Sequence, residues 1–362
     1  MAAASPLTPH ASLPRSKQSC SVAVVGAGAA GLAAARELLR EGHTPVVFEQ
    51  GSQPGGIWMY DERTDADPLG ERDTRRRAHS SMYRGLRTNL PRELMGFGDF
   101  PFTPAGMAAA GAASADARRF PSHGEVLAYL RAFAARHDLE RHVRFGARVT
   151  RAAPVWSSSS GQQEGNGVGT ASDACGDGEP VVAGCGPRWA VTFEVEAEGG
   201  RVEQQQQLPW KVVPFPQFEL QARLVARVLS GRAALPSRSA MAAEMDKFYA
   251  GLREAGVPPK WTHMMDVRQW EYNNWLITQA GCPQPLPAWR GDMYAATGRN
   301  KRAHPDDYRD HWDDTSSLEE AQEELAALVE GLRGSQEQGP AGSISSDADA
   351  ANGTPAAISV CT

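Results

Sequence analysis

The run Gly26-Ala27-Gly28-Ala29-Ala30-Gly31 constrains this chain more than any other feature. It follows the short apolar stretch Val22-Ala23-Val24-Val25 and precedes residues 32–41, which are mostly Ala, Leu, Arg and Glu, all strong helix formers. Gly42 closes that helix, and Pro45-Val46-Val47-Phe48 is a second apolar stretch that ends in Glu49. Strand, glycine turn, helix and strand make a βαβ unit. Each glycine has its own task in such a unit: Gly26 permits the tight turn, Gly28 lets a pyrophosphate approach the backbone, and Gly31 lets the helix pack on the sheet. Ala27, Ala29 and Ala30 complete a loop whose N–H groups, at the positive end of the helix, face phosphates. Glu49 lies eighteen residues after Gly31, where a carboxylate accepts both hydroxyls of an adenosine ribose. It would meet a 2′-phosphate as a like charge, which disfavours NADP at this position. The plainer reading is a glycine-rich structural turn beside a surface glutamate.

Gly55-Gly56-Ile57-Trp58 follows six residues after the acid. A second glycine pair there suits a ligand that continues past the pyrophosphate. Farther on, Ser122-His123-Gly124-Glu125 has the form of a capping box. The helix it opens puts Val126, Leu127, Leu130, Phe133 and Ala134 on one face. Val143, Phe145, Ala147 and Val149 alternate as one strand, as do Trp189, Val191, Phe193 and Val195, which Gly199-Gly200 could fold into a hairpin. Phe218, Ala222, Val225, Val228 and Leu229 form a helical stripe. Further helices are expected from Ser237 to Gly256, from Asp266 to Ala280 and from Ser317 to Leu332.

Composition sets the outer limits. The formal charge of −6 argues against a nucleic-acid binder, and Arg75-Arg76-Arg77 reads as a solvated loop. No run of eighteen apolar residues is present, so no membrane span is expected. The five cysteines form no CxxC pair, which disfavours zinc modules and disulfide scaffolds. The first twenty residues fit either a disordered leader or an organelle transit peptide on an otherwise cytoplasmic protein. His304 and His311 with Asp306, Asp307 and Asp310 read as a solvated acidic face rather than a metal site.

With these motifs in view, the sequence resembles the flavin-containing monooxygenases, in particular their plant and algal S-oxygenating branch. The resemblance runs through GAGAAGLAAARELLREGHTPVVFEQGSQPGGIW (26–58), SSMYRGLRTNLPRELMGFGDFPF (80–102), FPSHGEVLAYLRAFAARHDLERHVRF (120–145) and LPWKVVPFPQFELQARLVARVLSGRAALPS (208–237). It continues in QWEYNNWL (269–276), WRGDMYAATG (289–298) and YRDHWDD (308–314), and covers roughly two-thirds of the chain. It implies FAD on the first motif, with Gly56, Ile57 and Trp58 along the flavin. It also implies NADPH as reductant, O₂ as oxidant, a C4a-hydroperoxyflavin, and oxygen transfer to a small sulfide or amine. The family's asparagine beside the flavin matches Asn89, flanked by Thr88 and Leu90; without the resemblance Asn89 would read as a turn former before Pro91. Asp99-Phe100-Pro101-Phe102 reads as a packing corner, and Trp270, Tyr272, Trp275 and Trp289 as packing residues.

One departure is large. The family's second GxGxSG-type motif, which opens its NADPH domain, is absent from residues 146–208, where GQQEGNGVG and GCGPRW lack a preceding strand and a following helix. The ATG-like or NG-like turn and the strand-plus-glycine before Leu208 are absent too, the latter replaced by Glu203 and four glutamines. The expected fold class is therefore α/β: a Rossmann-like FAD-binding domain with a mostly helical C-terminal segment, no internal NADPH domain, and disordered termini and insert. The expected divisions are a leader (1–20), the N-terminal part of the FAD domain (21–150), a low-complexity insert with a β-hairpin (151–207), the C-terminal part (208–333) and a tail (334–362). Two other functions stay open at this point, a non-catalytic FAD-binding module and an inactive remnant, and a homo-oligomer is compatible with each.

Overall fold

The computed structural model describes residues 18–62, 65, 82–155, 188–195, 212–282, 285–337 and 359–361. Expectations for the leader before residue 18, most of the 60–80 loop with Arg75 to Arg77, the 157–187 insert, Gly199-Gly200, the glutamine tract and most of the tail lie outside those residues.

Strand β1 (Ser21–Val25), helix α1 (Ala29–Arg40) and strand β2 (Thr44–Phe48) form the expected βαβ unit. β1 and β2 are parallel, with Val24 opposite Val47. Val22, Leu32, Ala33 and Val47 are fully buried between sheet and helix, and Ala23 is buried on the opposite face with Phe48 and Ala147. Short helices α2 (Arg92–Met95) and α3 (Pro104–Ala109) lead to α4 (His123–Arg136). β3 (Val143–Arg144) then joins β2 in parallel, so the sheet order from one edge is β3, β2, β1.

The strand expected over 143–149 is broken. Gly146 adopts φ +66°, which ends β3 and sends the chain into β4 (Ala147–Val155). β4 pairs antiparallel with β5 (Arg188–Val195), with an irregularity between Val149 and Arg151. The hairpin partner of the 189–195 strand is thus β4, and the division expected at residue 150 falls inside that strand. Phe48 of β2 packs against Phe193 of β5, ring centroids 5.0 Å apart.

The C-terminal segment holds α5 (Pro214–Leu229), α6 (Arg238–Glu254), α7 (Gln269–Gln279), α8 (Ala288–Ala303) and α9 (Thr315–Glu337). α6 begins at the expected cap, where Ser237 Oγ accepts from the Ala240 N–H. α9 runs past the expected boundary at 333. Ser359–Cys361, expected within a disordered tail, forms β6 parallel to β1 on the edge away from β2.

The capping box does not form. Ser122 is the N-cap residue of α4, but its hydroxyl bonds no helix N–H, and its own N–H donates to Asp116. Glu125 turns instead to the buried Arg92, 2.9 Å away, and accepts from Ser114 and from the N–H groups of Ala115 and Asp116. A buried guanidinium with no carboxylate costs far more than an unmade cap, so the ion pair takes the side chain. The DFPF corner packs as expected. Phe100 and Phe102 are fully buried, and Tyr129 Oη accepts from Phe97 N–H and donates to Phe100 O.

α5 lies against α1, and the join is ionic at its centre. Arg36, 2% exposed, reaches Glu219 (2.6 Å), Glu37 (3.0 Å) and Asp99. Arg223 adds Glu219 (2.6 Å) and Glu37 (3.0 Å), and Glu219 also accepts from the Gly98 N–H at 2.6 Å. This arrangement corrects the aliphatic stripe expected on α5. Val225 is 39% exposed, and the buried residues include Phe215, Leu220, Ala226 and the charged Glu219.

The same region gives the fold an acid limit. Burial and the nearby Arg36 push the His137 imidazole down to about 4. The unfolded chain takes up that proton near 6.5 and the folded chain resists it until about 4. Stability is therefore full above 6.5 and declines as the pH falls toward 4. Burial pushes Asp99 upward, but Arg36 and Arg40 outweigh it and hold the carboxyl at about 2. Its contribution is complete above its ordinary 3.8 and fades as the pH falls toward 2. Urea midpoints measured across this range should fall in two stages. His137→Leu should flatten the upper stage and leave the lower one; an unchanged upper stage would assign it to other groups.

Candidate functional site

The first glycine loop, the end of β2 and the second glycine pair meet at one place. Gly26 has φ +92°, and its N–H donates to Phe48 O at 2.7 Å, which fixes the tight turn between β1 and α1. A Cβ on Gly31 would sit 1.9 Å from Gly26 O, so the turn closes only with glycine there. Gly28 is the N-cap residue of α1. No side chain caps that helix, and its first turn holds no acidic residue, so its leading N–H groups are left for a ligand.

Gly56 has a constraint the sequence does not reveal. A Cβ there would lie 2.9 Å from Gly28 Cα, whereas one on Gly28 would meet Gly56 Cα at an ordinary 3.4 Å. The two glycine loops abut backbone to backbone, and Gly55 N–H donates to Ala27 O at 3.0 Å. The neighbouring Gly55 is constrained as well. Its φ of +145° and a Cβ position 2.3 Å from Leu127 Cδ1 make it as demanding a glycine as Gly56, at φ +55°.

Glu49 is 5% exposed and sits at the end of β2. Its carboxylate accepts from Ala27 N–H at 2.6 Å and from Gly51 N–H at 2.7 Å. It is a buried loop-ordering group, not a surface glutamate. Each oxygen keeps a second lone pair for a ribose hydroxyl. Ala29 is buried, Ala30 is exposed, and Ile57 is 43% exposed beside the loop. Trp58 is half-buried and meets Phe215 of α5 edge-on, centroids 6.3 Å apart. The tight turn, the uncapped helix start, the loop closed by a second glycine pair and the acid at the strand end together fit an adenine dinucleotide such as FAD.

Thr88, Asn89 and Leu90 lie on a separate bend before α2. Thr88 is buried: its N–H donates to Pro121 O at 2.8 Å and its hydroxyl to Leu90 O at 2.9 Å. Leu90 and Trp58 pack on the same core cluster, which includes Ala27 and Ala29. Asn89 is exposed, with its carboxamide open. Arg309, far along the chain, donates from Nε to Thr88 O at 2.9 Å. No sequence pattern announces that contact.

Other sequence candidates are placed as follows. His304, Asp306, Asp307, Asp310 and His311 are all exposed, and His311 Nδ1 is 3.3 Å from Asp307. Trp289 is buried and donates to Glu324 at 2.6 Å, Trp270 and Tyr272 are half-buried, and Trp275 is exposed against Tyr272. Two cavities, of about 660 and 570 Å³, lie elsewhere: one between α3 and α9, the other along α5 between α1 and α7. Neither is lined by a residue of the glycine loops. No helix among the described residues is long and apolar enough to cross a membrane.

Comparison with known proteins bears on this site. Residues 19–175 match the family model described as flavin-binding monooxygenase-like. The chain is 33% identical to flavin-containing monooxygenase FMO GS-OX-like 4 of Arabidopsis thaliana over 442 aligned positions, covering 84% of this chain and 97% of that protein. FMO GS-OX-like 2 of the same plant is also 33% identical, over 85% of this chain and 95% of that one. Among solved structures, S-allyl-L-cysteine S-oxygenase from Allium sativum superposes with a TM-score of 0.65 at 24% identity, covering 86% of this chain and all of that one. Tmm from Pelagibacter sp. strain HTCC7211 superposes with a TM-score of 0.53 at 15% identity, covering 81% and 93%. The two structures show a shared fold. The sequence relationships go further, and by them the chain belongs to the flavin-containing monooxygenase family, whose members are flavin-dependent oxidoreductases.

Proposed function

We propose that this chain binds FAD across its two glycine loops and acts as an oxygenase of soft sulfur or nitrogen nucleophiles, limited by slow reduction with NADPH. The observation that carries the binding step is the buried Glu49, which ties the first glycine loop to the turn after β2 and keeps lone pairs for a ribose diol. The α1 N-terminus would hold the pyrophosphate, and Gly55-Gly56 would let it pass against backbone. Trp58 and Leu90, packed on one cluster, would shield the inner flavin edge from water. Asn89 would present a carboxamide that both donates and accepts at the reactive end. Bound flavin supplies the redox and oxygen-activating chemistry of the family.

The limit on NADPH turnover comes from length. Of the 442 positions aligned with GS-OX-like 4, about 304 are filled by this chain (84% of 362), so about 138 positions of that relative have no counterpart here. That shortfall is the size of a small domain, and no second dinucleotide motif appears in the sequence between the two matching blocks. A carrier of FAD without its own hydride-donor domain is the reading this favours.

The purified chain should take up one FAD, turn yellow and release heat on titration. Glu49→Ala should weaken FAD about 10- to 100-fold, as expected when a charge-assisted acceptor is lost. Dithionite should reduce the bound flavin, while NADPH should oxidise at the rate of free flavin. No heat and no saturation would end the binding reading. Brisk NADPH oxidation coupled to oxygenation of a methyl sulfide would end the limit placed on reduction.

A further inference from the structure

The bend that carries Asn89 is tied down from two sides, and one side comes from 221 residues farther along the chain. Thr88 N–H donates to Pro121 O, and Thr88 Oγ1 reaches across Asn89 to Leu90 O. Arg309 Nε donates to Thr88 O at 2.9 Å, which fixes the peptide plane that Asn89 shares. Arg309 is itself held. Its guanidinium lies 4.6 Å from the centre of the buried Tyr308 ring, and its carbonyl accepts from Arg87 Nη2 at 3.4 Å. Arg87 also reaches Asp310 at 3.0 Å and Phe120 O at 3.0 Å, so the 87–89 and 308–310 segments clasp each other in both directions. Pro91 restricts Leu90 from the other side. The backbone on both sides of Asn89 is therefore tied while its side chain stays open, as a preorganised group requires.

From this geometry we infer that Arg309 is a positioning residue for the Asn89 carboxamide, so that the C-terminal segment sets the reactive end of the flavin site. This inference rests on the site reading given above. Arg309 reaches Asn89 only through the Thr88 carbonyl. Losing its hydrogen bond leaves Gly26 to Gly31 and Glu49 intact. FAD affinity should survive, while the environment of the flavin ring changes.

The test uses the full chain loaded with FAD and reads the visible circular dichroism of the flavin, the FAD dissociation constant and the melting temperature. Arg309→Met should keep FAD affinity within about threefold and shift the flavin band toward that of Asn89→Ala. The double variant should match Asn89→Ala alone, because two changes acting through one group do not add. Arg309→Lys, which keeps a cationic donor, should restore part of the band. If Arg309→Met fails to fold, Lys carries the same comparison. A wild-type band in the Arg309 variants beside an altered one in Asn89→Ala would overturn the positioning role, as would full additivity in the double variant. An unaltered band in Asn89→Ala would instead overturn the reading of Asn89, and an unloaded parent chain would overturn the site itself.

Discussion

Gly31→Ala should be the most damaging single-methyl change in the molecule. The added carbon would lie 1.9 Å from Gly26 O and 3.5 Å from Val24 Cγ1. Neither the backbone of the turn nor β1 behind it has room to retreat. A loss of about 3 kcal/mol, the upper part of the range for overpacking a tight site, is expected, together with loss of bound flavin. Two companions calibrate the result. Gly26→Ala meets nothing within 4 Å but must hold φ at +92°, which should cost about 1–2 kcal/mol through backbone strain alone. Gly124→Ala, in the exposed first turn of α4, should be neutral or stabilise by up to about 1 kcal/mol. Urea unfolding with flavin content measured in parallel should return the order 31, 26, 124. Equal losses at Gly31 and Gly26 would mean that strain, rather than the close carbonyl, governs the turn.

Glu219→Ala should rival it by a different route. One buried carboxylate serves Arg36, Arg223 and the Gly98 N–H. Removing it leaves a 2%-exposed guanidinium with Glu37 and a partly exposed Asp99, and leaves a backbone donor unpaired. Breaking one side of a buried ion pair typically costs about 3–5 kcal/mol, whereas replacing both sides with apolar groups is much milder. The double variant Arg36→Met/Glu219→Leu should therefore be more stable than Glu219→Ala, as read by chemical denaturation. If the single variant loses under about 1 kcal/mol, the network is a solvated one and the join between α1 and α5 rests on apolar packing.

The sequence was most legible where structure is local. β1, the glycine turn, α1 and β2 occupy one short stretch, and their pattern could be read directly. So could the Ser237 cap and the DFPF corner. Local pattern misleads where a distant residue competes for it. Ser122 and Glu125 have capping spacing, but Arg92 needs the glutamate more. The alternation from Val143 to Val149 runs through Gly146, whose positive φ cuts it in two. The stripe expected on α5 runs through aliphatic residues, but the facing helix offers Arg36 and Glu37, so a glutamate is buried there. Within the site, the close approach of Gly56 to Gly28 has no local signature, because the two loops are 28 positions apart. The hold of Arg309 on Thr88 has no signature at all, because 221 residues separate donor from acceptor.

The seam between α1 and α5 also says how this molecule tolerates interruption. Its adhesion comes from side chains on residues more than 180 positions apart, such as Arg36 with Glu219 and Glu37 with Arg223. The residues named in it all fall before position 100 or after position 218. A protease nick or an engineered break between residues 196 and 211 should leave two fragments that stay together and co-elute. By the same logic, genetic excision or insertion of a whole folding unit at that crossing should leave the α1–α5 scaffold able to assemble.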